Sequence, residues 1–479
     1  MMRITIDGRM TEVAEGTTVM AAADGLDIRI PRLCHHPALS SSGSCGVCLV
    51  RVVGRDGFAR ACEEEVRDGM EVITSDDSVC RAREDAIELL LVRHPNDCPS
   101  CHRAGECELG DIYFEHSQRT ARDDISARDV EPLRAGPRLI KRTERCIGCR
   151  RCERFASEVV GVEGSALFEH AYSICAAELC PSGALEPVGI GSTTPAWRVT
   201  SSPSICIGCA RGCDVWIDHK DGRAVRFRPR AADGAGFAWM CDEGRDSILD
   251  RGGERRTLAP FVLTDFEMRP ATWAGAEARV AELMRGFDPE RIAVVLSAQS
   301  SVEENMAFLK LAREALGASK VFVSGRESDP GFADGLLRVA DRNPNTRGVS
   351  SMADSGLSGL PHGAGLIVLD GLGSADLIAA VESRPAWAIL ATHEPIGMQR
   401  WADVVLPKAS HFEQEGTFVT EGGAVKVMGA ALTPAGDSMP AWGIACAIAR
   451  AAGRAFDAEG AQALRSWAAR EGIVWNRTR

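Results

Sequence analysis

Sixteen side chains with the chemistry of soft metal ligands fall into four quartets between residues 34 and 241 of this 479-residue chain. Cys34, Cys45, Cys48 and Cys62 read C-x10-C-x2-C-x13-C, and His94, Cys98, Cys101 and Cys107 read H-x3-C-x2-C-x5-C. Cys146, Cys149 and Cys152 read C-x2-C-x2-C, with Cys180 further on, and Cys206, Cys209, Cys213 and Cys241 read C-x2-C-x3-C-x27-C. Thiolates at such close spacing suit zinc or an iron–sulfur cluster, since both take soft ligands in tetrahedral arrangements. Iron–sulfur chemistry is electron transfer: each cluster takes up and passes on a single electron, and the protein sets its position and potential.

The first quartet is read as a [2Fe–2S] site and the other three as [4Fe–4S] sites. Imidazole is neutral where thiolate is anionic, so His94 would change the net charge of its cluster and hence its potential. His35, His36 and His102 compete with it; His102 directly follows a ligand and is poorly placed to serve the same metal. In the third quartet a bacterial ferredoxin spacing would place a cysteine at Ala156, so the fourth ligand comes from elsewhere. Cys180, followed by Pro181 in the loop CPSGAL, is the candidate and Cys175 its rival. Cys80 and Cys446 fit no quartet and read as ordinary thiols of helices. Two bland alternatives stand beside this reading: four structural zinc sites, or disulfides in a secreted protein.

The surrounding sequence supplies the elements. Strands over Arg3–Ile6 and Met10–Val13 flank an Asp7-Gly8 turn, and a helix follows over 17–24. The first cysteine loop comes next, with Gly43 and Gly46 giving backbone amides access to sulfur, then a strand over Leu49–Val53. Residues 78–93 read as a helix with Ala86, Leu89, Leu90 and Val92 on its apolar stripe. Residues 117–140, charged and carrying prolines, read as a surface linker. Val215–Asp218 and Ala224–Phe227 read as a hairpin, with the alternating Arg226, Arg228 and Arg230 on a solvated or subunit-contacting face. Beyond 256, strand–helix–strand rhythms at 291–323 and 365–392 predict a doubly wound α/β layer.

Order and spacing of the first 250 residues resemble the large iron–sulfur subunit of bacterial NADH:quinone oxidoreductase (complex I). The resemblance implies the same sixteen ligands: Cys34, Cys45, Cys48 and Cys62 on [2Fe–2S], and three [4Fe–4S] clusters on the other quartets, the last off the main path. It also implies electron entry from a flavin subunit that oxidises NADH and exit toward a small two-cluster subunit. Residues 256–479 resemble a shortened molybdopterin oxidoreductase, through WADVVLPKASHFEQEGTFVTEGGAVKV at 401–427. Thr420 and Ala424 stand where that family has asparagine and arginine, and Asp242 and Glu243 where active members tend to have lysine. No cysteine lies between 242 and 445 to ligate molybdenum, which leaves serine or aspartate as the alternative ligand; with the domain also much shorter than the full enzymes need, no molybdopterin is expected.

The expected architecture is therefore multidomain α+β and α/β. A β-grasp ferredoxin-like domain (1–77) precedes a domain with one histidine and three cysteine ligands (78–118), then a four-cysteine ferredoxin-like domain (119–198). A further [4Fe–4S] domain (199–255) and a degenerate molybdopterin-oxidoreductase-like domain (256–479) follow. The net charge of −12 opposes a nucleic-acid partner. The start MMRITIDGRM lacks the apolar run of a signal peptide and no window has the length of a membrane span, so the expected place is cytoplasmic, peripheral on the inner membrane through partners. No complete nucleotide fingerprint follows a strand; Gly371-Leu372-Gly373 is a lone GxG, which leaves NAD and flavin to a partner. Two rival hosts share these modules: a soluble NAD-linked hydrogenase and a molybdenum formate dehydrogenase.

Overall fold

The computed structural model describes residues 1–92, 94–95, 97–116, 130–189, 194–231, 238–252, 256–353, 357–370, 375–382, 385–394, 402–458 and 460–475. The chain forms two compact units, Met1–Val199 and Thr200–Arg479.

The first unit opens with β1 (Met2–Ile6) and β2 (Arg9–Val13), joined by Asp7 and Gly8, both at positive φ as a two-residue hairpin turn requires. Together with β3 (Leu49–Val52), β4 (Ala59–Arg60) and β5 (Met70–Ile73) they form a sheet of order β2-β1-β5-β3-β4, in which only β1 and β5 run parallel. The helix Val19–Asp24, capped by the Thr18 hydroxyl, buries Val19, Met20, Ala22 and Ala23 against Ile4, Ile6, Val50 and Val72. This is the expected β-grasp arrangement.

The helix Asp77–Leu91 forms where the periodicity predicts it, and Ala86 and Leu90 pack against the core as expected, beside the buried stripe of Val79, Arg83 and Ile87; Leu89, however, is 75% exposed. Arg83 sits on that buried stripe because its guanidinium donates to the Leu49 carbonyl, at 2.9 Å. The expected linker also needs correction. Residues 117–129 lie outside the described residues, but β6 (Leu133–Ala135) and β7 (Leu139–Lys141) pair as a hairpin, with β8 (Leu185–Pro187) added to β7. That small sheet carries the chain into Cys146 from one side and receives it after Cys180 on the other.

The second unit begins with an antiparallel sheet of β9 (Thr200–Ile205), β10 (Asp214–Lys220) and β11 (Arg223–Pro229), with Asp221-Gly222 as the turn. Arg226 and Arg228 do not form a solvated face: both donate to the fully buried Asp218, each at 2.7 Å, and Arg230 pairs with Asp214. An isolated buried carboxylate would be costly, and the two guanidinium groups satisfy it.

A hairpin, β12 (Phe261–Thr264) and β13 (Glu267–Pro270), then extends a parallel sheet of β14 (Ile292–Ser297), β15 (Lys320–Ser324), β16 (Gly365–Leu369), β17 (Trp387–Thr392) and β18 (Val404–Pro407). The order is β13-β12-β18-β17-β16-β14-β15. Alternate residues of β14 and β16 enter opposite cores, Val294 and Ile367 one, Val295 and Val368 the other, so the sheet is covered on both faces. The strand order reverses between β14 and β16, which makes that junction a topological switch point. A last hairpin, β19 (Gly416–Val419) and β20 (Val425–Met428), follows β18. Among the described residues no helix is long and apolar enough to cross a membrane.

Candidate metal centres

The first quartet lies on the loop after the helix Val19–Asp24 and on the strands that follow it. Cys34, Cys45, Cys48 and Cys62 are all buried, and Cys48 and Cys62 have their sulfurs 3.5 Å apart. Hydrogen bonds from Cys45 and Cys62 hold the Cys34 thiol low, while the same contacts push Cys45 and Cys62 up. The bond with Cys62 brings Cys48 down to about 7. Four thiols so close share little negative charge among themselves, and ionise together only when a cation compensates them.

The second quartet lines one cavity of about 250 Å³, with His94, Cys98, Cys101 and Cys107 all on its wall and Phe114, Arg145 and Trp197 beside them. The Nδ1 atom of His94 is buried and, among the described residues, has no hydrogen-bond partner. Burial, then the charge of Arg145, lowers the imidazole pKa to about 4, so it is neutral as a ligand must be. Gly110 N–H points at Cys107 Sγ (3.4 Å) and an Arg145 guanidinium N–H at Cys101 Sγ (3.1 Å). His102 is held elsewhere, near Glu186 at 3.8 Å.

In the third quartet Cys149 and Cys152 are pushed up to about 12 and 11, first by burial, with the neighbouring Cys180 adding to it. The structure thus brings Cys180 to this group. Cys175 lies wholly buried in the helix Ser173–Leu179, among Ile174, Ala176 and Leu179. Arg151, between two ligands, donates to Glu108 (2.8 and 2.9 Å), to the Leu179 carbonyl (3.1 Å) and to the His35 carbonyl (2.8 Å). Arg154 donates to the Cys34 and Cys149 carbonyls at 2.5 and 3.2 Å. One short helix therefore fastens the loops of three quartets, a role that no local motif announced.

The fourth quartet also lines one cavity, of about 220 Å³, which Cys206, Cys209, Cys213 and Cys241 share with Arg326, Phe332 and Arg342. Gly244 N–H donates to Cys241 Sγ (3.4 Å), and a Cβ there would stand 3.0 Å from Cys206 Sγ, so only glycine leaves the sulfurs room. Burial pushes Cys213 and Cys241 up to about 11 and 12. Glu243, in the helix Asp242–Gly252, pairs with Arg338 at 3.2 Å. Among the described residues no three His, Cys, Asp or Glu groups are arranged to hold one single metal ion. Both cavities far exceed the roughly 10–15 Å³ that one water needs, so each has room for a polyatomic group.

Just past the carboxyl ends of β16, β17 and β18 lies a buried polar group. Lys408 Nζ, fully buried, lies 2.5 Å from Glu304 Oε1 and 3.3 Å from Asp370 Oδ2, and His393 Nδ1 lies 2.9 Å from Asp370 Oδ1. Ser300 and Gln414 complete the group through Asp370 and Glu304. Thr420 Oγ1 accepts from the Ala424 amide at 3.0 Å, so it closes the β19–β20 turn. Gly371–Gly373 lies outside the described residues.

Three family models match the chain: a 2Fe-2S iron-sulfur cluster binding domain at 1–77, the NADH-ubiquinone oxidoreductase-G iron-sulfur binding region at 83–122, and molybdopterin oxidoreductase at 397–451. The G subunit of NADH-quinone oxidoreductase from Streptomyces coelicolor is 31% identical over 452 residues, 87% of this chain and 53% of that one. The 75 kDa subunit of NADH-ubiquinone oxidoreductase of Reclinomonas americana is 31% identical over 367 residues, 72% of this chain and 53% of its own. The chain thus spans about half the length of the curated relatives it matches. A solved NAD+-reducing [NiFe]-hydrogenase chain aligns with 40% of this chain and 90% of its own, at 28% identity and a TM-score of 0.36.

Proposed function

Because the chain belongs to the family of the G and 75 kDa subunits of NADH:quinone oxidoreductase, we propose that it is an electron-transfer subunit of a complex I-like enzyme. The observation that carries the reading is the gathering of ligands: His94, Cys98, Cys101 and Cys107 line one cavity, and Cys206, Cys209, Cys213 and Cys241 another. Cys34, Cys45, Cys48 and Cys62 would hold [2Fe–2S]; the second, third and fourth quartets would each hold [4Fe–4S], with Cys180 as the third's last ligand. Such clusters, when bound, pass single electrons without rearranging bonds. The protein's own part is to hold the thiolates, exclude water and aim N–H groups at sulfur, as Gly110, Gly244 and Arg145 do.

In this reading electrons enter from a flavin subunit that oxidises NADH and leave toward a small two-cluster subunit, with the chain peripheral on the cytoplasmic face of the membrane through its partners. The five-part division of the chain given by its sequence is the corresponding domain plan. The residues do not fit a pterin. Asp242 and Glu243 stand where active members of the pterin family tend to have a lysine, and no cysteine lies between 242 and 445 to ligate molybdenum.

Anaerobic purification followed by iron, acid-labile sulfide, zinc and molybdenum analysis tests this. The assignment requires about 14 irons and as many sulfides per chain, from the cluster types, with no molybdenum. Four zinc ions without sulfide would refute it, and stoichiometric molybdenum would make the second unit catalytic.

A further inference from the structure

We propose that Arg145 is a positioning residue that sets the reduction potential of the histidine-containing centre through its bond to Cys101, with Asp97 acting against it. The proposal rests on the reading of His94, Cys98, Cys101 and Cys107 as a [4Fe–4S] site. Arg145 is the residue before Cys146, so its main chain belongs to the third quartet, while its side chain turns to the second. Its Nη1 stands 3.1 Å from Cys101 Sγ. The same guanidinium is gripped by Asp97, the residue before Cys98, at 3.0 and 2.6 Å. The Arg145 side chain is 8% exposed, and its carbonyl accepts from Ser182 Oγ at 2.6 Å, so the group is fixed at both ends.

The electrostatic consequence follows from the charge balance of the redox step. A cluster that accepts one electron gains one negative charge, spread in part over its ligand sulfurs. A cation fixed against one of those sulfurs stabilises the reduced form more than the oxidised form. The N–H···S bond draws density from the same sulfur and acts in the same direction. Both effects raise the potential. Asp97 partly cancels the positive charge, so its removal raises the potential further. The effect is local: among the described residues, Arg145 is the residue with a side-chain hydrogen bond to Cys101 Sγ, and the burial of its side chain limits solvent screening of its charge.

The test is a redox titration, followed by electron paramagnetic resonance, on the full chain purified anaerobically, with iron and sulfide measured on each sample. The signal of the second site is the one that moves in His94→Cys. Arg145→Met is expected to lower that potential and Asp97→Asn to raise it. Arg145→Lys, which keeps the charge but not the fork, is expected to fall between wild type and Arg145→Met. The third site's potential is expected to move less than the second's. An unchanged or raised potential in an iron-replete Arg145→Met protein overturns the proposal. So does a fall in both Arg145→Met and Asp97→Asn, since simple loosening of the site gives one sign for both. Should Arg145→Met lose iron, the Lys and Asn variants carry the same opposed signs and decide the matter. Absence of iron from this site in the wild type is a different result: it refutes the cluster reading itself.

Discussion

His94 contributes a neutral, half-buried imidazole whose Nδ1 has no hydrogen-bond partner among the described residues. Replacing it with an anionic ligand adds a negative charge to the site. His94→Cys is therefore expected to retain the cluster and lower its potential, read by redox titration; an unchanged potential removes His94 from the ligand set. At the third site the two candidate thiols differ in surroundings. Cys180 follows the helix end beside Cys149 and Cys152, whereas Cys175 lies within that helix and is fully buried. Cys180→Ser is expected to cost about four irons and four sulfides from the total, counted from one cluster, with Cys175→Ser leaving both counts intact. The reverse result would transfer the ligand role to Cys175.

At the scale of elements, the short helix Arg151–Arg154 fastens segments that lie far apart in sequence. Arg151 alone holds the carbonyls of His35 and Leu179 and the carboxylate of Glu108. Arg151→Met would strand both carbonyls; two charge-assisted bonds at about 1.5 kcal/mol each imply a loss of about 3 kcal/mol. The expected readout is a lower unfolding midpoint together with lower iron content. An unchanged midpoint would show that the loops hold one another without it. These contacts also mark where the sequence stops being readable. The quartets were legible because cysteines two or three residues apart share a loop by necessity. The hairpin Leu133–Lys141 was not, because its strands are three residues long and its third partner lies more than forty residues downstream. Leu89 was assigned inward on apolar character, yet the turn of the helix gives the inward place to Arg83, whose partner Leu49 is 34 residues away. The β-grasp hairpin and the alternating strands and helices of the second unit were legible, since each rests on local periodicity and turns.

For the molecule as a whole, the two units draw on different sources of stability. The second unit buries Lys408, Glu304 and Asp370 together, brought from separate elements. Burial, the largest influence on Asp370, pushes its pKa up, but Lys408 and His393 together outweigh it and hold the carboxyl well below the usual range. A depressed carboxyl stabilises the fold above its unfolded pKa of about 3.9 and loses that contribution as pH falls below it. Lys408→Met removes the compensating cation and leaves two buried carboxylates, at a cost of about 3–5 kcal/mol near neutral pH. The sign then inverts: without Lys408, burial pushes the Asp370 carboxyl toward its protonated form, so the variant's stability is expected to rise as pH falls from 7 to 5. Thermal unfolding of wild type and variant across that range measures both slopes, and parallel slopes would show that Lys408 does not govern these carboxylates.

In the first unit, ligand thiols belong to the packing itself. Cys34, Cys45 and Cys149 are core residues beside Leu33, Val47 and Ile87. The parallel sheet of the second unit instead packs aliphatic side chains on both faces, with no quartet cysteine among them. A cell short of iron would thus make a chain whose parts mature unequally. The parallel sheet reaches its final shape on hydrocarbon alone, while the quartet loops, those of Cys206 and Cys241 in the second unit included, wait, unfinished and open to proteases, for their metal to be delivered. The lifetime of the polypeptide, and not only its activity, then follows the iron supply.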